Sequence, residues 1–456
     1  MNQNDFSNIS ISDELKQGIA DMGYSSATSI QSQSIPIILE GRDVIGKSQT
    51  GSGKTAAFGL PALDRIDTSI SPKIVQVLIL CPTRELAMQA CTEIRKFSKY
   101  KEEIHVVPIF GGDSIDRQIM QLRQGCQIVV GTPGRIMDHM NRKTLKFSEV
   151  KMVVLDEADE MLNMGFIEDI ELILTGTPEE RQTILFSATM PKAVLDITKK
   201  FQKDPVTVEI KEPQLTVSTI EQFYFRIPKA KKKDALLCLL DYYKPERSIV
   251  FCNTKKMVDE LIEELNRRGY PAQGLHGDMR QASRTQVMNQ FKDGKIAILA
   301  ATDVAARGID VNDIKVVFNY DLPQDDEYYV HRIGRTGRAG KSGQAFTLVQ
   351  GPKQFSQLKN IMNYTKCEIL ERELPSFSEI NNRNTSQLVD EISAFMAQHE
   401  YKKYMPAIEK MVDEKNTAIE IAAALFAMSV KQNTLADETT ADFASADWGR
   451  ESDEKS

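Results

Sequence analysis

Residues 48–55 read SQTGSGKT, after a short apolar run at 43–46 and before a helical stretch, AAFGLPAL. Glycines let backbone N–H groups curl around a phosphate. Lys54 can then reach the β- and γ-phosphates, and the Thr55 hydroxyl can ligate Mg2+. The position that usually holds the first glycine of G-x-x-x-x-G-K-[ST] is Ser48. A glycine-rich turn with a solvated lysine would share this composition but not its setting. The strand in front and the helix behind predict a nucleotide-binding α/β lobe.

Working outward, residues 153–159 read VVLDEAD. An apolar strand that ends in acids puts them at its carboxyl end, where α/β sheets bind ligands. There Asp156 is suited to holding Mg2+, and Glu157 to orienting or deprotonating an attacking water. Strand candidates in this first half are 43–46, 74–81, 104–110, 127–131, 152–155 and 183–187. A second set follows at 222–226, 248–252, 272–275, 296–300, 316–320 and 344–348. Short apolar runs alternating with amphipathic segments predict parallel sheets covered on both faces.

The extended stretch 204–219, DPVTVEIKEPQLTVST, reads as the break between the halves. The expected domains are therefore 1–210, a linker at 211–219, and 220–372. Residues 373–434 form a helical extension, with helices over 387–397, 401–412 and 418–430. Thr417 and Glu420 carry a capping-box pattern ahead of the third, whose run IAAALFAM needs burial or a partner. Residues 435–456 are expected to be a disordered acidic tail.

The 456 residues carry 57 Lys plus Arg against 64 Asp plus Glu, a net charge of −7. Seven acids against Arg450 and Lys455 in the tail account for −5 of it. The balance excludes a polycationic nucleic-acid coat but not a local basic strip. Six scattered cysteines without CxxC or His spacing argue against zinc and against a disulfide framework. Free thiols and a polar start, MNQNDFSNIS, predict a cytoplasmic protein, and no apolar run approaches the ~20 residues needed to span a bilayer.

With DEAD at 156–159, the chain resembles the DEAD-box ATP-dependent RNA helicases over residues 1–370. The signs run in family order: Phe6, Gly23-Tyr24, Ile30-Gln31, SQTGSGKT, PTREL at 82–86, Gly111-Gly112, TPGR at 132–135, DEAD, and SAT at 187–189. The second half adds FCNT at 251–254, Gln281 with Arg284, Thr302-Asp303, RGID at 307–310 and HRIGRTGR at 331–338. The resemblance implies an α/β fold of two RecA-like parallel-sheet lobes in tandem, with ATP and Mg2+ as cofactors.

The same resemblance implies the site residues. Phe6, Tyr24 and Gln31 would meet adenine; a carboxamide can donate and accept on that base edge together. Ala27-Thr28-Ser29 replaces the family's Pro-Thr-Pro, and Gln31 is also spaced to cap Thr28. Ser48, Gln49, Thr50, Gly51, Ser52, Gly53, Lys54 and Thr55 would hold phosphate; Thr55 and Asp156 would hold the metal. Lys54, Asp156 and Glu157 join the arginine fingers Arg335 and Arg338 as the catalytic set. Gly308 and Asp310 would line the nucleotide. Asp159, Ser187, Thr189 and His331 would couple closure of the lobes to hydrolysis.

Arg84, Gly112, Thr132, Arg135, Thr254, Arg284, Thr302 and Arg307 would bind RNA. Hydroxyls, glycine N–H groups and guanidinium suit backbone contact without sequence reading. The expected activity is RNA-stimulated ATP hydrolysis with local, non-processive unwinding of short duplexes. An ATP-gated RNA clamp or scaffold, and a DNA helicase of the same superfamily, are the alternatives.

The extension, from Tyr401-Lys402-Lys403-Tyr404 to IAAALFAM, resembles the dimerisation region of bacterial cold-shock, CshA-like DEAD-box helicases. That implies a homodimer through 375–434 and roles in cold adaptation, ribosome assembly or mRNA turnover, with ribosome-assembly or RNA-degradation partners. The basic run at 228–233, PKAKKK, reads as a solvated helix start. His105, His139 and His399 read as ordinary surface or core residues.

Overall fold

The computed structural model describes residues 6, 9–48, 52–70, 73–210, 220–228, 231–306, 311, 313–337, 342–398, 400–412 and 417–433. The chain divides into two compact units, Met1–Pro213 and Gln214–Ser456.

The first unit is built on seven parallel strands. They are β1 (Val44–Lys47), β2 (Val77–Leu80), β3 (Val106–Ile109), β4 (Ile128–Gly131), β5 (Met152–Leu155), β6 (Gln182–Ser187) and β7 (Val206–Glu209), in the order β3-β4-β2-β5-β6-β1-β7. Side chains on a strand alternate between faces, and both faces here are covered. Val77, Ile79 and Val154 join one core layer with Phe58, Ile94 and Phe97 from helices. Leu78, Leu80, Val153 and Leu155 join the other, with Ile136, Met161 and Ile173. This two-sided burial is why the strands read as unbroken apolar runs. Pairing of Lys47 with Ser187 and of Leu80 with Leu155 brings the ends of neighbouring strands level.

The second unit repeats the plan. Its strands are β8 (Ile220–Arg226), β9 (Ser248–Phe251), β10 (Ala272–Leu275), β11 (Ile298–Ala301), β12 (Val316–Asn319), β13 (Gly343–Val349) and β14 (Leu370–Glu371). They run parallel in the order β10-β11-β9-β12-β13-β8-β14. Counted from its own first strand, each unit has the order 3-4-2-5-6-1-7. Both sheets are RecA-like, as expected.

Two strands escaped the sequence reading. Val206–Glu209 pairs with β1, so the extended stretch placed at the break starts inside the sheet. It is an edge strand that buries only Val208 fully, and Pro205 precedes it. Leu370–Glu371 has two residues, both exposed. The linker at 211–219 and the tail at 435–456 lie outside the described residues.

The extension is helical. Its first helix, Phe377–Gln398, starts ten residues before the expected 387, because Ser376 and Glu379 form a reciprocal cap. Ile380 packs it onto Cys238 of the Lys232–Tyr243 helix. The helix expected at 401–412 is instead a short turn, Lys402–Tyr404, followed by Met405–Glu409. Pro406 lacks an N–H and is best tolerated in the first turn of a helix, and here it stands in the first turn of Met405–Glu409. The third helix, Ala418–Asn433, carries the expected cap: Thr417 N–H donates to Glu420 at 2.8 Å, and Glu420 N–H to the Thr417 hydroxyl at 3.2 Å. Ile421 is buried, while Ile419, Leu425 and Met428 stay exposed.

Candidate active site

β1 hands the chain to the phosphate loop at its carboxyl end, where Ser48 N–H donates to the Ser187 carbonyl at 3.1 Å. Ser48 is compatible with the loop because its hydroxyl accepts from Ser52 Oγ at 3.1 Å. Gly53 sits at φ 88°, a left-handed conformation that glycine adopts without strain. It leads into the helix Lys54–Asp64, whose N-terminus offers N–H groups and a positive dipole end to an anion. Lys54 is buried; its Nζ lies 3.4 Å from the Ser48 carbonyl and 4.0 Å from Asp156 Oδ1. Gln49, Thr50 and Gly51 lie outside the described residues.

Asp156 follows β5 directly. Burial raises its carboxyl well above the ordinary aspartate value, against the pull of Lys54. Its Oδ1 accepts no hydrogen bond among the described residues. A buried carboxylate oxygen without a donor, two strands from the Thr55 hydroxyl, fits a hard divalent cation that completes its shell with phosphate and water oxygens. Glu157 has φ 54° and ψ 53°, a left-handed conformation costing a non-glycine residue about 1–3 kcal/mol. It is the N-cap residue of the helix Ala158–Asn163, and its charge helps raise the Asp156 carboxyl at the strand end.

Asp159 ties this turn to β6. Its Oδ2 accepts from Ala188 N (3.1 Å), Thr189 N (2.7 Å) and Thr189 Oγ1 (2.9 Å). Asp159 N–H donates to Ser187 Oγ, which donates to the Thr189 carbonyl. The structure thus brings Asp159, Ser187 and Thr189 into one network. His331 belongs to the second unit, where it lies in the last turn of the helix Asp326–Ile333.

Gln31 uses one donor and one acceptor of its carboxamide on the chain itself: Oε1 accepts from Thr28 N at 2.9 Å and Nε2 donates to the Gly53 carbonyl at 3.0 Å, which leaves a second N–H and a second lone pair. Thr28 Oγ1 adds a bond to the Ser52 carbonyl at 2.9 Å. Two side-chain bonds therefore tie this helix start to the phosphate loop, and the third caps the helix itself. Tyr24 packs edge-on to Phe6 and Phe97, with ring centroids 6.3 Å apart in both pairs.

The candidate RNA residues of the first unit follow β2, β3 and β4. Arg84 opens the helix Arg84–Phe97 and packs against Gly112, where φ is 86° and a Cβ would collide with its guanidinium. Thr132 and Arg135 start the helix Pro133–Asn141. Arg135 Nη1 donates to Gln118 Oε1 (3.1 Å) and to the Asp113 carbonyl (3.2 Å). The sequence reading missed Gln118. It is fully buried, donates to the Phe110 carbonyl at 2.9 Å, and meets His139 Nε2 at 3.1 Å. His139 is accordingly a buried, hydrogen-bonded core residue. In the order of the sheet, the RNA candidates occupy the β3-β4-β2 side and the phosphate residues the β5-β6-β1 side.

In the second unit Thr254, Arg284 and Thr302 follow β9, β10 and β11, the matching strands. Arg335 is buried just beyond the Asp326–Ile333 helix, with Nε 3.3 Å from the His331 carbonyl. Arg307, Gly308, Asp310 and Arg338 lie outside the described residues. Arg332, which was not singled out from sequence, is only 1% exposed and grips Asp303 through two nitrogens. The basic run is not wholly solvated: Lys232 is largely buried and ion-paired with Asp321. A cavity of about 620 Å³ in the first unit lies at the opposite, amino ends of the strands, beside Asp43, Lys151 and Gln182, away from these groups.

A doubly wound sheet carrying a phosphate loop and an acidic strand end, joined in one chain to a second sheet of the same order, defines a tandem RecA-like nucleoside triphosphatase. Comparison with known sequences narrows the class. The DEAD/DEAH box helicase profile matches residues 28–197, the helicase conserved C-terminal domain 231–340, and the RNA helicase DeaD dimerization domain 375–439. DEAD-box ATP-dependent RNA helicase CshA of Bacillus anthracis is 47% identical over 90% of this chain and 77% of its own length. ATP-dependent RNA helicase CshA of Listeria monocytogenes is 47% identical over 94% and 81%. Among solved structures, S. cerevisiae Dbp5 bound to RNA and ADP BeF3 is 33% identical, with a TM-score of 0.75 over 83% of this chain and 97% of that one. The chain belongs to the DEAD-box ATP-dependent RNA helicases, enzymes that hydrolyse ATP. Among the described residues, no helix is long and apolar enough to cross a membrane.

Proposed function

We propose that hydrolysis is carried out by Lys54, Asp156 and Glu157 of the first unit with Arg335 and Arg338 of the second, and that RNA stimulates it by bringing the two sets together. The observation that carries this reading is the Lys54–Asp156 approach of 4.0 Å beside the strained Glu157. Lys54 and the helix N-terminus bind the phosphates. Asp156 and Thr55 hold Mg2+, which neutralises charge on the phosphate oxygens when bound. Glu157 orients the attacking water and takes its proton. The arginines meet charge that develops on the transferred phosphoryl group. Gln31 and Tyr24 place the adenine, and Gln31 links that end to the phosphate loop through Gly53. Asp159, Ser187, Thr189 and His331 pass closure between the units.

RNA runs along the backbone-binding residues that follow the second, third and fourth strands of each unit: Arg84, Gly112, Thr132 and Arg135, then Arg284, Thr254, Thr302 and Arg307. Closure separates short duplexes locally, without processive movement. Glu157→Gln should retain ATP and RNA binding while losing turnover, read by filter binding beside phosphate release; undiminished turnover would remove Glu157 from the mechanism. Opening of a short RNA duplex but not of an equal DNA duplex separates this reading from a DNA helicase.

We further infer that the protein is a cytoplasmic homodimer through 375–434, acting in cold adaptation, ribosome assembly or mRNA turnover with factors of those assemblies. Support comes from the dimerization profile and from the exposed Ile392, Met396, Ile419, Leu425 and Met428 on the extension helices. Light scattering of the chain ended at Leu374 should give the mass of a single shortened chain, and that of the full chain the mass of two; equal oligomeric states would contradict the dimer.

A further inference from the structure

The two units place a lysine and an aspartate in corresponding positions, with different outcomes. In the first, Lys54 starts the helix after strand one, and Asp156 follows strand five. In the second, Lys232 starts the helix Lys232–Tyr243 after strand one, and Asp321 lies two residues beyond strand five. Lys54 stays 4.0 Å from its aspartate, with its Nζ 3.4 Å from the Ser48 carbonyl. Lys232 is bonded to Asp321 Oδ1, and its Nζ sits 4.5 Å over the Tyr320 ring. Their side chains are 12% and 19% exposed. The residues between Ile227 and Lys232 are Pro-Lys-Ala-Lys, without glycine. The lysine that would bind phosphate is thus held within the protein.

The pair leads directly to the arginine turn. Asp321 Oδ2 accepts from Asn253 N at 3.0 Å, and its carbonyl accepts from Arg332 Nη1. Arg332 Nη2 donates to Asn253 Oδ1 at 2.8 Å and to Asp303 at 2.7 Å. Arg335 follows one turn later, its N–H on the Arg332 carbonyl at 3.1 Å. A buried charge network holds a unique geometry only while each member keeps its partner.

We propose that Lys232 and Asp321 are positioning residues for the Arg335 turn: their ion pair closes the second unit's counterpart of the phosphate site and uses it to fix the Asn253–Arg332 network. This rests on the reading of Arg335 as an arginine finger. It assigns the basic run a role in hydrolysis rather than in RNA binding. Thr254 and Thr302 adjoin Asn253 and Asp303, so strand ends facing RNA and the finger turn share one support.

The test is steady-state ATP hydrolysis by the full chain with polyuridylate, varying each ligand, for Lys232→Met, Lys232→Arg and Arg335→Ala. Lys232→Met should lower kcat about 10- to 100-fold, the scale of a small displacement near the reacting atoms. KM for ATP and half-saturating polyuridylate should move less than about threefold, since neither ligand is touched. Lys232→Arg, which keeps the charge, should recover most of kcat. Active-site titration with a non-hydrolysable ATP analogue normalises each rate to folded protein. An unchanged kcat per titrated site in Lys232→Met, beside a collapsed one in Arg335→Ala, overturns the proposal alone. A fully active Arg335→Ala overturns the finger reading first. Loss of polyuridylate affinity at constant kcat would make Lys232 an RNA contact and overturn the positioning role.

Discussion

The two units have one strand order and opposite phosphate chemistry. Each turns its second, third and fourth strands toward loops with the same kinds of RNA-suited groups. Thr83 and Thr254 even repeat a detail, each accepting from the N–H three residues on, at 3.3 and 3.2 Å. The units part at the loop after strand one. In the first, Gly53 leads into the helix and Lys54 stays 4.0 Å from Asp156, whereas in the second Lys232 is paired with Asp321. The second unit spends its charge on arginines after strand five instead. A RecA-like sheet therefore supplies a place for phosphate but does not by itself make a nucleotide site. Glycines and a carboxylate oxygen left without a donor do that, and an internal ion pair can undo it.

The largest expected break in this comparison is Arg335→Ala. It should cut RNA-stimulated hydrolysis by about 10³–10⁵, the range for arginine fingers, with ATP affinity retained. A matching loss of RNA binding with normal turnover of bound ATP would make Arg335 an RNA residue. A smaller effect sharpens the likeness of the units. Arg135→Ala and Arg284→Ala, one in each, should each weaken single-stranded RNA binding several-fold. Each should reduce the salt slope by about 0.7 per lost phosphate contact. A change in base preference instead of in salt slope would contradict backbone binding.

Buried parallel strands declare themselves, and twelve of the fourteen were legible as apolar runs. Val206–Glu209 was not, because an edge strand needs apolar residues on one side only, and Thr207 and Glu209 are exposed. Local partnerships were legible too. The Thr28–Gln31 and Thr417–Glu420 pairs follow from spacing alone, and the structure shows both. Partnerships across the fold were not. Asp321 lies 89 residues from Lys232, and three adjacent lysines hid which one was paired. Gln118 and His139 sit 21 residues apart on different helices, and neither residue type predicts full burial. A signal for the break was present in the sequence at Pro406, since proline disfavours the helix interior, although Pro36 and Pro61 are accommodated inside helices.

The difference between the units is tested most directly by the number of nucleotides each chain binds. Equilibrium titration of the full chain with a non-hydrolysable ATP analogue, Mg2+ and polyuridylate should give one site per chain. That site should disappear in Lys54→Ala and persist in Lys232→Met. Two sites per chain, or a single site that survives Lys54→Ala, would contradict a phosphate site in the first unit and a filled counterpart in the second.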